Sequence, residues 1–84
     1  MKLYEYKARA MSILMNYEPR NNREKVLKDM LIVQINNLRR MTMPRLLMDL
    51  HLILNHEPLV TDDFKNIIKK LIPKPEEVEK IEDD

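Results

Sequence analysis

Not one of the 84 residues is glycine. Glycine is the usual residue for left-handed backbone at helix ends and tight hairpins. A chain without it must turn at asparagine or stop each helix before a proline. The five prolines mark where that happens. Glycine-rich phosphate loops and dinucleotide fingerprints are excluded, because their backbones need glycine to approach a phosphate.

Cysteine is absent too and there are only two histidines. Disulfides and thiolate zinc sites are therefore excluded, and the histidines are too few for an all-nitrogen site. No cofactor is expected. A single domain of this size buries only roughly 60–65% of the surface its unfolded chain exposes. Dense helix packing or self-association must supply the rest of its stability.

Apolar residues recur at helical spacing. A first helix is predicted from about Lys2 to Asn16, with Leu3, Tyr6, Ala10, Ile13, Leu14 and Tyr17 on one side. Tyr4, Met11 and Met15 form a second stripe beside it. Pro19 ends the element by disfavouring helical geometry at Glu18. Asn21, three residues before Glu24, reads as the start of a capping box for a second helix. That helix is predicted to reach about Met41, with Val26, Leu27, Met30, Leu31, Val33, Leu38 and Met41 on its apolar side. Ile32 breaks the pattern by standing within the charged face.

Thr42 is the expected N-cap of a third helix, about Met43 to Asn55, with Pro44 in its first turn. Leu46, Leu47, Met48, Leu50, Leu52, Ile53 and Leu54 make it apolar over most of its circumference. Thr61 should cap a fourth helix, with Asp62 and Asp63 at its positive dipole end and Lys69 and Lys70 near its negative end. Phe64, Ile67, Ile68, Leu71 and Ile72 form its apolar stripe. Pro73 and Pro75 stop it, leaving room for one short turn and an acidic tail.

The expectation is an all-α bundle of four helices over residues 1–75, with 76–84 as tail. Ser12–Pro19 echoes His51–Pro58 at a spacing of 39 residues, each closing an apolar helix. The echo suggests two stacked helical hairpins.

Chemistry is hard to place on this chain. His51 and His56 are about 140° apart on a helix and cannot grip one metal from a single face. Ser12 has no base paired with it in sequence, and Thr42 and Thr61 are accounted for as caps. No enzyme activity or small-molecule substrate is expected. No apolar stretch reaches the length of a membrane span, and the acidic, tyrosine-bearing start does not read as a secretory signal. The compartment expected is the cytoplasm, or the nucleus of a eukaryote.

Two kinds of surface remain for a partner. The first helix is apolar over about 220° and the second over about 200°, where a peripheral helix needs little more than 100°. Tyr4, Met11, Met15 and Ile32 are the expected surplus, suited to a second copy or a larger protein assembly. Charge offers the alternative. Residues 1–48 carry ten Lys and Arg against four acids, and residues 49–84 carry five Lys against ten acids. Lys25, Lys28, Arg39, Arg40 and Arg45 are the residues that would track a nucleic-acid backbone.

Overall fold

Helix boundaries fall where the sequence supplies a cap or a proline. The computed structural model describes residues 1–82. Among them α1 spans Leu3–Met15, α2 Asn22–Asn36, α3 Met43–His56, α4 Asp62–Leu71 and α5 Pro75–Glu79, with one 3₁₀ turn at Arg40–Thr42. Asn21 caps α2, its side-chain oxygen accepting from the Glu24 N–H at 2.9 Å. Thr61 caps α4 in the same way, accepting from the Phe64 N–H.

Two boundaries differ from the sequence expectation. The second helix ends at Asn36, not near Met41. The Asn37 carboxamide donates to the Val33 carbonyl at 3.0 Å, a side-chain bond that competes with continuing the helix. Leu38 then turns into the core. Thr42 does not cap α3. Its hydroxyl accepts from the Arg39 N–H and donates to the Arg39 carbonyl, both at 3.0 Å. It closes the 3₁₀ turn instead, and α3 starts directly behind it with Pro44 in its first turn.

The bundle is all-α and built from two hairpins, α1 with α2 and α3 with α4, joined where α1 lies along α4. The core runs through Leu3, Tyr6, Ala10 and Leu14 of α1, Leu27, Leu31 and Ile35 of α2, Leu46, Leu50 and Ile53 of α3, and Phe64, Ile68 and Leu71 of α4. Tyr17 meets Phe64 edge to face, ring centres 5.5 Å apart, a favoured aromatic geometry. The α2–α3 side is tied by polar groups: Gln34 donates to Asp49 at 3.1 Å, and Arg23 pairs with Glu57 at 2.8 Å.

Tyr6 is fully buried, and its hydroxyl donates to the Leu71 carbonyl at 2.7 Å. That carbonyl lies in the last turn of α4, where no helical N–H follows to satisfy it. Burial pushes the phenol up to about 12, against a weaker downward pull from Arg9. Replacing Tyr6 with Phe should cost about 1–2 kcal/mol, because the carbonyl stays buried without a donor. Thermal unfolding followed by circular dichroism checks this; an unchanged midpoint would show that the carbonyl finds another partner.

The acidic end does not trail away as a tail. After α5 the chain runs beside residues 1–3 as a short parallel bridge between Lys2 and Glu82. The Leu3 N–H donates to the Glu82 carbonyl at 2.9 Å, and the Glu82 N–H to the Met1 carbonyl at 3.1 Å. Ile81 is only 2% exposed and belongs to the core. The acids there surround two apolar residues, Val78 and Ile81, three positions apart and so on one face of a turn. Asp83 and Asp84, the end of the expected tail, lie outside the described residues.

Candidate partner-binding surface

The four residues expected to be surplus divide into two pairs. Tyr4 and Met15 are 58% and 62% exposed. Met11 and Ile32 are half-buried and pack against the core. The α1–α2 register explains this. Lys28 donates to the Tyr17 carbonyl at 2.8 Å, so the antiparallel helices bring Ile32 to about the level of Met11 and Ser12. The residue that broke the α2 pattern is thus half-buried against the core.

On α2 the exposed apolar residues are others than Ile32. The core line there is Leu27, Leu31, Ile35 and Leu38, which leaves Val26, Met30 and Val33 outside. These three, at i, i+4 and i+7, share one helix face. Gln34 lies between that face and the core line and reaches across to Asp49 of α3, so the stripe borders the α2–α3 groove. Met48 and Leu52 are exposed on α3. The Gln34–Asp49 register puts Leu52 at about the level of Met30. The five side chains are each between 42% and 61% exposed, and contiguous exposed apolar surface of this kind is often functional.

The molecule's shape accounts for the exposure. Its extents are 35 × 21 × 17 Å, so the thinnest direction accommodates only about two helix diameters of roughly 10 Å. A slab that thin buries one stripe per helix and leaves a second in water. Two ion pairs lie beside these residues, Arg45 with Asp49 at 3.3 Å and Arg23 with Glu57 at 2.8 Å.

A buried polar hub fixes the hairpins that carry the face. Glu24 is fully buried in the first turn of α2. Its carboxylate accepts from the Tyr17 hydroxyl at 2.5 Å, the Arg20 N–H at 2.9 Å, and the Thr61 N–H and hydroxyl at 2.7 Å each. Burial alone would raise its pKa, but these donors outweigh burial and hold it at about 2, below the ordinary 4.5. Asn21 adds a bond to the Leu59 carbonyl at 3.0 Å. The N-termini of α2 and α4 are thereby locked side by side. In sequence the only sign of this hub was Glu24 at the capping-box position, with no indication of a distant partner.

The five basic residues of the nucleic-acid alternative do not converge. Lys25 and Lys28 border a shallow cleft that also contains Glu18 and Asp29. Arg39 and Arg40 lie beyond the far end of α2, more than about 12 Å along its axis from Lys28. Arg45 is held by Asp49. At that far end Arg39 and Arg40 are joined by Lys7 of α1, a residue sequence reasoning passed over, around a cleft of about 890 Å³.

His51 and His56 are both exposed. Among the described residues, no three His, Cys, Asp or Glu side chains are grouped to hold a metal ion, and no helix is long and apolar enough to cross a membrane. Compared with known protein families, curated proteins and solved structures, the chain matches none.

Proposed function

We propose that this protein works by binding another protein through the α2–α3 face, and that the occupant of the face is a second copy of the chain. The observation that carries this reading is the exposed run Val26, Met30 and Val33 on α2, with Met48 and Leu52 exposed on α3, the helix to which Gln34 bonds. The charges of Arg45 and Asp49, and of Arg23 and Glu57, neutralise each other in place. What the face offers is apolar area, and a copy related by a two-fold axis offers the same. Five side chains are far fewer than the roughly 20–30 residues a side of a standard interface, which suits weak, reversible association.

Sedimentation or light scattering at low and high salt tests this. The expected result is a dimer that persists at high salt, since apolar burial is not screened as exposed charge is. The double variant Val33→Glu with Leu52→Glu should weaken association by about 100-fold or more, since it places like charges in the centre of a two-fold contact. Its helix content should not change, because both side chains face water in the monomer. Wild-type protein that stays monomeric at millimolar concentration, or a dimer that the variant leaves intact, overturns the proposal.

A further inference from the structure

At the end of the bundle away from Glu24, the start of α1 meets the end of α2 and the 3₁₀ turn. The cleft between them, about 890 Å³, is lined by Lys7, Arg39 and Arg40, with Leu38, Met41 and the Asn36 amide completing the wall. Among the described residues, no acidic side chain lines it. Glu82 is paired with Lys2 at 2.8 Å and also feels the Arg40 charge. Neither Lys7 nor Arg39 has an ion-pair partner among the described residues. Two of the last four carbonyls of α2, which would repel an anion, are covered: Val33 accepts from the Asn37 N–H and carboxamide, and Ile35 from the Leu38 N–H.

We propose that this cleft binds a small organic phosphate of about mononucleotide size. Cations brought together from two separate parts of the chain suit a group with three equivalent charged oxygens, and an arginine fork can engage two of them at once. The volume lies within the usual range for small-molecule sites, roughly 300–1,000 Å³, and far exceeds what inorganic phosphate fills. Met41, 83% exposed at the edge of the cleft, supplies a polarisable surface for a ring to lie against. The Asn36 amide can donate to or accept from a polar ring edge. This inference is independent of the α2–α3 face, since none of these residues belongs to that patch.

The test is an amide-resolved NMR titration of the full chain with adenosine monophosphate, adenosine, inorganic phosphate and a short single-stranded oligonucleotide. Adenosine monophosphate should give saturable shifts confined to residues 3–7 and 36–42. Adenosine, lacking the anion, should give none, and inorganic phosphate should bind at least tenfold more weakly. The double variant Lys7→Ala with Arg39→Ala should lower the affinity for adenosine monophosphate at least tenfold while its remaining spectrum stays that of the folded protein. Absence of saturable shifts, or binding that the variant does not weaken, overturns the proposal. So does equal affinity for inorganic phosphate, or an oligonucleotide that binds the same residues far more tightly than the monomer unit.

Discussion

Glu24→Ala will destabilise the protein by about 3–5 kcal/mol, the cost of leaving several buried donors without their charged acceptor. A domain of this length is expected to have only roughly 4–12 kcal/mol in total, so the variant will stand near the limit of folding. Its thermal midpoint should fall by at least about 12 °C. The Tyr17 hydroxyl, the Arg20 N–H and the Thr61 N–H all lose their acceptor at once, and water entering the gap can satisfy only some of them. Glu24→Gln is the informative companion. It keeps the shape but loses the charge, and its NH₂ group would face donors.

The same carboxylate sets the acid sensitivity of the fold. Its pKa in the folded protein is about 2, against an ordinary 4.5. A group depressed in this way stabilises the native state fully above its unfolded value, and that contribution disappears as pH falls through the folded value. Wild-type stability should therefore decline steeply between about pH 4.5 and pH 2, with a shallower loss over the same window in Glu24→Gln. Glu57 and Glu82 are also lowered, by Arg23 and Lys2 respectively, but water screens those pairs and their contribution is small. Denaturant melts at stepped pH would show it. Parallel acid limbs in wild type and Glu24→Gln would rule the hub out as the source.

Ile81→Asp should be nearly as damaging, at about 3–4 kcal/mol. It removes a buried apolar side chain and puts a carboxylate where no donor waits. The effect should spread beyond residue 81. With residues 80–82 detached, the Leu3 N–H and Met1 carbonyl lose their partners, and Leu3 at the root of α1 becomes accessible. Amide exchange should thus accelerate in residues 3–6 as well as in 75–82. Faster exchange confined to the C-terminal segment would mean that α1 does not depend on it. If residues 76–82 were merely a solvated tail, the substitution would change nothing.

Much of the fold could be read residue by residue. Asn21 and Thr61 announced two helix starts with short polar side chains ahead of apolar periodicity, and both act as caps. The α1 and α4 core stripes were also legible, as each helix has one clear buried line. On α2 the apolar residues wrap so widely that periodicity admits two core lines. The structure uses Leu27, Leu31 and Ile35 and leaves Val26, Met30 and Val33 outside. That decision makes Val26, Met30 and Val33, and not Ile32, the exposed apolar residues of α2. The docking of the C-terminal segment was not legible for a different reason: six acids dominate its composition, while Ile81, which enters the core, makes no pattern by itself.

The repeat shows the same division. The echo in sequence has a spacing of 39, but the buried positions Leu3, Tyr6 and Ala10 match Met43, Leu46 and Leu50 at a spacing of forty. The caps Asn21 and Thr61 keep that spacing, and so do the buried residues Glu24 and Phe64. The second hairpin fills this position with an aromatic ring and the first with a carboxylate that reaches across to the other hairpin's cap.

By itself the sequence determined the helical class, the places where helices begin, and the excess of apolar surface, because these follow from local propensities and spacing along a single element. Which stripe goes inward, that Glu24 satisfies Thr61 across 37 residues of chain, and that Lys7 stands with Arg39 around one cleft were decided only by tertiary structure. Each depends on the register between helices distant in sequence. That register is set by packing the whole core at once, and no local window of the chain contains it.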